Sequence, residues 1–444
     1  MLPYYLHRHR PFRLGLSVRF LRDGKLKVCP ELKAFIHPHS ILKEEKMKKF
    51  ICILLAAIMA VSFAGCAKPT AAKRFNTQCY ELTGRSYAEN SVVLPVSDGK
   101  LLVCSEGTSS AELFIIDVKT EKTDRYSFKY EKGYRYELIP EVYANGNFVF
   151  EAHSEEEYAN AASRKAPSFF MIGTCGSKKL RKVSVSNGNG VFSYDCANFY
   201  FIFENEVYCR DVASGDEKLL AKFPLGSELY FDKRVDESGR FYNLHVNPEG
   251  GDSYLCRIEL ANGSITNPVY QSYMSYNAGV INGHTAMLMY PDYEDVLSLQ
   301  LYLINFEKDK AGTDTKSIDL GEAFRTADYV PDFGYGRVWG DEENGQLFAF
   351  VSDSTLDNGE AQPIFMLGRI GDEMAEFADI GLFGKLGSID SGCYFKVVDE
   401  DTGAVMHLVA AILDGKLCII NPDLLDYTVK ALIVAEPYVN IKPL

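Results

Sequence analysis

Tryptophan and histidine are scarce in this chain of 444 residues, with one of the first, Trp339, and eight of the second. A lone tryptophan gives little support to a dedicated sugar platform. Only His153, His245, His284 and His407 follow residue 65. They are too widely spaced to form a recognisable ligand pair or to mark a general base. No Cys-x-x-Cys pair occurs, so a zinc site has no local support. A Gly-x-Ser-x-Gly nucleophile elbow and a phosphate-binding glycine loop are likewise missing. These absences leave no catalytic residue, no cofactor and no metal to expect. No apolar run reaches the roughly 20 residues of a membrane-spanning helix. Basic residues are in the minority, 47 against 60 acidic. Twelve of the basic and 4 of the acidic ones precede Cys66, leaving 35 and 56 and a net charge of −21 from there onward. Such a surface repels nucleic acid, which is excluded as a partner, and anionic lipid surfaces.

Met47 is followed by Lys48 and Lys49, then by an apolar run from Phe50 to Phe63 interrupted only by Ser62, then by Ala64-Gly65-Cys66. A short basic region, an apolar core and small residues before a cleavage point make a secretory signal. The cysteine after Ala-Gly resembles the lipobox of bacterial lipoproteins, although Phe63 stands where that family usually has leucine. The resemblance implies a diacylglycerol on Cys66, cleavage before it, and a mature protein tethered to the outer face of a membrane. Residues 1–46 then read as a misassigned N-terminal extension, 47–65 as the signal peptide, 66–74 as a flexible tether and 75–444 as the folded domain.

Within that domain a phrase recurs: a small polar residue, glycine, any residue, then an apolar strand. It appears at Asp98-Gly99, Asn145-Gly146, Ser238-Gly239, Asn282-Gly283, Asn344-Gly345 and Thr402-Gly403, with Cys196-Ala197 as a degenerate copy. Glycine allows the positive φ of tight hairpins, so each copy reads as a turn between antiparallel strands. A second phrase follows each first one, an apolar strand such as Leu113-Phe114-Ile115-Ile116-Asp117, Phe169-Phe170-Met171-Ile172-Gly173 or Leu417-Cys418-Ile419-Ile420-Asn421. Seven pairs of hairpins make seven four-stranded units. No unit can bury both faces of its sheet alone, and radial stacking does so, which predicts an all-β propeller. The stretch Phe75 to Leu82 is expected to close the ring against the last unit or to begin an eighth, partial one. A β-sandwich is the other all-β architecture considered, but it has no reason to repeat at this spacing.

The stretch from Asp98-Gly99-Lys100-Leu101 through Glu112-Leu113-Phe114-Ile115-Ile116-Asp117 resembles the repeat of TolB-type, WD-like propellers. That superfamily includes binding scaffolds, sensor domains and covers of peptidases, so the resemblance implies a fold rather than an activity. Eight cysteines follow Cys66. Cys209 and Cys256 occupy the place of Ile115, Met171, Leu303 and Met366 in sister units, where cysteine is a small core hydrophobe. Free buried thiols are therefore expected rather than disulfides. Asp399-Glu400-Asp401-Thr402-Gly403 starts like a calcium loop but lacks the later bidentate glutamate, and reads as a solvated hairpin turn.

In a four-stranded blade, the turns after the first and third strands lie at one end. The connections after the second strand and between blades lie at the other. Here the second set is long and uneven, and it holds Tyr134, Tyr136, Tyr158, Tyr273, Tyr276, Tyr293, Tyr329 and Tyr335. Tyrosine combines large contact area with a polar tip. This long-loop end is the expected binding face for an envelope protein or peptide, although any one of these rings could instead pack between blades. A ligand-sensing lipoprotein serving a receptor or transporter, and an enzyme acting on extracellular glycan or peptide, are the alternatives.

Overall fold

The computed structural model describes residues 74–158, 167–185, 190–231, 239–251, 253–265, 269–270, 275–290, 298–305, 315–326, 331–341, 345–355, 361–399 and 402–435. Cys66 and the proposed signal lie outside them. Strand β1 (Cys79–Ser86) comes first. Unit one follows with β2 (Val92–Ser97), β3 (Lys100–Glu106), β4 (Ser110–Asp117) and β5 (Lys122–Lys129). Unit two holds β6 (Tyr134–Leu138), β7 (Asn147–Ser154), the short helix α1 (Glu155–Tyr158), β8 (Phe169–Thr174) and β9 (Leu180–Val183). Unit three holds β10 (Gly190–Phe192), β11 (Asn198–Phe203), β12 (Glu206–Asp211) and β13 (Glu217–Lys222). Unit four holds β14 (Glu228–Phe231), β15 (Phe241–Asn247), β16 (Tyr254–Glu259) and β17 (Val269–Tyr270). Unit five holds β18 (Ser275–Ile281), β19 (His284–Met289), β20 (Gln300–Ile304) and β21 (Lys316–Asp319), followed by helix α2 (Leu320–Thr326). Unit six holds β22 (Pro331–Asp341), β23 (Gly345–Thr355), β24 (Ala361–Ile370) and β25 (Met374–Asp379). Unit seven holds β26 (Gly392–Val398), β27 (Val405–Leu413) and β28 (Lys416–Ile420), and β29 (Val429–Ala435) ends the described chain.

Every unit is an antiparallel meander, and each copy of the first phrase falls between the first and second strands of its unit. The second phrase is the third strand throughout. Its near-continuous apolar character has a direct cause. Successive side chains of a strand point to opposite faces, and in a stacked unit both faces are covered. On β4, Leu113 joins the core between units one and two, while Phe114 joins the core between units seven and one. On β24, Met366 packs towards unit five and Phe365 towards unit seven. The remaining cores lie between units two and three, three and four, and four and five. The hydrophobic clusters thus follow the units around a closed circle, and the architecture is a β-propeller.

The circle closes by exchange. Unit seven supplies three strands of its own, and β1 takes the fourth place, pairing antiparallel with β28 so that Cys79 faces Ile420 and Tyr80 faces Ile419. This is the closing strand expected near Phe75 to Leu82, and it removes an open edge that would otherwise pair with another chain. Arg74, expected in a loose tether, is buried and pairs with Glu121 at 2.7 Å. After β28 the chain turns through Pro422–Leu424 and leaves its unit. Strand β29 then inserts between β21 and β25, joining the outer edges of units five and six into one nine-stranded sheet. Nothing in the repeat pattern foretells that strand.

The degenerate third copy keeps the turn at a cost. Cys196 has φ of 58°, in the left-handed region where its sisters have glycine or asparagine. A side chain there costs about 1–2 kcal/mol. Asp195 Oδ1 accepts the Ala197 N–H at 3.0 Å and Ser193 Oγ accepts the Asn198 N–H at 2.9 Å, which holds the turn in place.

Candidate functional site: the long-loop end and the axis

The tyrosines of the expected binding face have different fates. Tyr273, Tyr293 and Tyr329 lie outside the described residues, as do the side chains of Tyr158, at the end of α1, and Tyr276, on β18. Tyr335, on the inner strand β22, is 61% exposed. Tyr134 is half-buried, with its ring edge-on to Phe169 at 4.9 Å. Tyr136 is 1% exposed and sits in the core between units one and two, against Tyr130, Phe150 and Phe169. Tyr136 is therefore part of the core and not of the binding face. Successive residues of β6 point to opposite faces, and Tyr136 falls on the face covered by unit one.

Sequence reasoning missed the large apolar side chains that this end does expose. Phe203 closes β11, and Leu225 tips the connection between units three and four. Tyr230 stands on the inner strand of unit four. They are 47%, 87% and 48% exposed. The turns that carry Phe203 and Leu225 are fastened to each other. The Phe223 N–H donates to Asn205 O at 2.8 Å, and the Asn205 side chain donates back to Phe223 O. A Cβ on Gly226 would come within 2.6 Å of Glu249 Oε2, so the loop of unit four lies against the same turn. Leu382, 79% exposed, tips the connection from unit six to unit seven at this end too. Pro224-Leu225-Gly226 carried a usable signal: a leucine at a turn tip, where no core can reach it.

The charge around Leu225 is acidic. Glu204, Glu228 and Glu249 are exposed beside it. Glu206 bonds Lys222 at 2.7 Å and accepts the Tyr208 hydroxyl, and both contacts lower its pKa below the usual carboxylate value. Burial and the Glu228 carboxylate raise the Tyr230 pKa, so the phenol stays protonated and donates to Glu228 at 3.0 Å.

At the axis the structure shows a cluster with no local sequence signature. Arg337, midway along β22, has a side chain 13% exposed. It donates to Asp390 Oδ1 at 2.7 Å, to Glu141 Oε1 at 3.1 Å and to the Pro140 carbonyl at 2.5 Å. Asp390 precedes the inner strand of unit seven, and Glu141 follows the inner strand of unit two. Only the centre of the ring brings these three units together. Burial opposes the guanidinium charge, but Glu141 and Asp390 outweigh it and hold the Arg337 pKa above its ordinary value. A guanidinium so held exchanges no proton at ordinary pH, and its chemistry is that of a fastening.

In the acidic hairpin that starts at Asp399, Glu400 and Asp401 lie outside the described residues, and Asp399 bonds within its own turn. Asp399 is buried rather than solvated, and its Oδ1 accepts both the N–H and the hydroxyl of Thr402, at 2.9 and 2.8 Å. Among the described residues no cluster of three acidic, histidine or cysteine side chains could hold a metal, and no helix is long and apolar enough to cross a membrane.

No protein-family model matches the chain, and no curated protein matches it in sequence. Several solved structures resemble the chain at low overlap. TolB from Acinetobacter baumannii is 10% identical, with 79% of this chain and 80% of that one covered and a TM-score of 0.36. The WD40 domain of coronin from Toxoplasma gondii is 9% identical, with 81% and 85% covered and a TM-score of 0.40. A prolyl endopeptidase structure is 12% identical, with 73% of this chain covered and a TM-score of 0.39, and this chain spans 47% of its length. The likeness at this level is one of fold.

Proposed function

We propose that this chain is an exported lipoprotein whose propeller is a scaffold, holding a protein or peptide partner on its long-loop end near a membrane. The observation that supports the binding role is the exposure of Phe203, Leu225 and Tyr230 at this end, with the turns of the first two fastened to each other. Large apolar side chains on a rigid platform, rimmed by charge, are the anatomy of an interaction site. Leu382, in the connection from unit six to unit seven, extends that character along the same end. The anchor is a diacylglycerol on Cys66, and the partner lies at the outer face of the membrane that holds it.

Two measurements test this reading. Cys66→Ala releases the protein from membranes or leaves it as an uncut precursor; processing and membrane retention like the wild type would sink the anchor. A photo-crosslinking residue is then placed at Leu225 or, on the tight-turn end, at Val405. One defined adduct from Leu225, lost in a Phe203→Asp variant, supports the binding end. Adducts from Val405 alone overturn it.

A further inference from the structure

We propose that Cys79 and Cys418 form a reversible disulfide that staples the N-terminal strand to the last unit of the propeller. The two residues stand on the two strands that close the ring. Cys79 lies opposite Ile420 and Glu81 lies opposite Cys418, so the cysteines are diagonal neighbours on one face of the seam. Cys418 is buried in the core between units six and seven, and Cys79 packs against that core from the edge. Diagonal neighbours stand about 7–8 Å apart between Cα atoms. That is just beyond the usual disulfide span of about 4.4–6.8 Å, so bonding draws β1 a short way along β28. The register of β1 with β28 is irregular beyond Glu81, between Glu81 and Ser86, so the strand is not held uniformly along its length.

The two thiols are also unequal, as an exchange reaction requires. A hydrogen bond from Cys418 lowers the Cys79 pKa, although burial and Glu81 act against it. The same contact, with burial, pushes the Cys418 thiol up. Elsewhere burial alone takes Cys175 to about 11 and Cys256 to about 12, where thiolate is scarce. Cys79, half-buried at the edge, is thus the attacking group.

The reaction needs a disulfide oxidant, either a small molecule such as oxidised glutathione or an exchange-active protein disulfide. Cys79 loses its proton and attacks one sulfur of the oxidant. The oxidant's S–S bond breaks, and its first thiolate leaves and takes up that proton. Cys418 then loses its proton and attacks the Cys79 sulfur of the mixed disulfide. The second thiolate leaves and is protonated in turn. Two electrons pass to the oxidant, and the protein loses two hydrogen atoms. The product covalently closes almost the whole propeller into one loop, which restricts the unfolded chain.

The test treats the full-length chain with oxidised glutathione and maps its disulfides by mass spectrometry without reductant. The expected product is one cross-linked peptide pair containing Cys79 and Cys418, with a raised melting temperature that dithiothreitol reverses. Cys418→Ala is expected to stop at a stable glutathione adduct on Cys79. Cys79→Ser, at an edge position that tolerates the change, is expected to take up no intramolecular bond and to show no oxidant-dependent stabilisation. A Cys79 adduct that persists in the wild type, pairing scattered among other cysteines, or equal stabilisation of Cys79→Ser by oxidant would each overturn the proposal.

Discussion

Replacing Arg337 by methionine removes a group that ties units two, six and seven across the axis. The side chain is close in size, so the change deletes charge and hydrogen bonds more than volume. Three donated bonds disappear, to Asp390, Glu141 and the Pro140 carbonyl. Two carboxylates are left behind in unequal positions. The Asp390 side chain is 33% exposed and can take up water, whereas that of Glu141 is 13% exposed and largely cannot. Breaking a buried ion pair from one side costs about 3–5 kcal/mol, and the partial hydration of Asp390 places this case near 3. At about 2.1 cal/mol/K of unfolding entropy per residue over roughly 360 residues, that is a fall in melting temperature of about 4 °C. Adding Glu141→Gln removes the more buried of the two carboxylates that Arg337 pairs with. A double-mutant cycle is then expected to show at least about 1.5 kcal/mol of coupling between the two positions. The pH dependence has a definite sign. Without the guanidinium, burial raises the Glu141 pKa above its unfolded value of about 4.3, so the destabilisation is full at neutral pH and shrinks as pH falls towards that value. Thermal melts of the four proteins at several pH values measure all of this. A cost for Arg337→Met under about 1 kcal/mol, or a coupling near zero, would refute the axial fastening.

Three further outcomes follow from the geometry. Tyr136→Ala is expected to cost about 3–5 kcal/mol of stability as a core deletion, whereas Leu225→Ala leaves the melting temperature nearly unchanged and weakens partner binding by about 2 kcal/mol; chemical denaturation and titration calorimetry separate the two. Burial alone would raise the Asp98 pKa, but Lys119 at 2.6 Å and the Val398 N–H at 2.8 Å outweigh it and lower it. Asp98 therefore stabilises the protein above its unfolded pKa of about 3.9, and this contribution is lost as pH falls through the folded value. With the side chain 45% exposed the effect is screened to well under about 1 kcal/mol, so Asp98→Asn is expected to melt slightly lower at pH 7 and to match the wild type in strong acid. In Gly392→Ala the new Cβ would stand 2.6 Å from the Trp339 ring, and overpacking of this kind costs about 1–3 kcal/mol in a denaturant titration.

The repeat was readable because it is local. A turn residue followed by an apolar strand lies within a dozen positions, and all seven copies fall where the period puts them. The third strands were the clearest because two neighbouring units cover both of their faces, which favours apolar residues at most positions. Strand β1 was readable for a related reason, since a repeat that ends one strand short must find its last strand elsewhere. Strand β29 was not, because it satisfies edge bonds of units five and six that leave no mark on its own sequence. The tyrosine count misled at Tyr136 because composition does not tell a ring that points to solvent from one that points to the next blade. Leu225 left no mark in the tyrosine count, although a leucine at a turn tip can bury little there.

The axial cluster shows why long-range polar contacts escape a sequence and still bear on function. Arg337 and Glu141 lie 196 positions apart, in units that share no sheet and no interface core. Their meeting depends on the ring having closed, so it is a consequence of the fold and not a cause of it. Once made, the contact fixes inner strands from both sides of the ring against one another. The connections of the long-loop end begin and finish on those inner strands, and the turns around Phe203, Leu225 and Glu249 are further tied to each other. A surface held in this way loses little conformational freedom when a partner arrives, so more of its contact energy remains as affinity. An Arg337→Met protein that still folds is therefore expected to bind more weakly through Leu225, 112 positions away in sequence, than its intact contact surface alone would suggest. Unchanged affinity in that variant would separate the axis from the binding end and leave Arg337 a matter of stability alone.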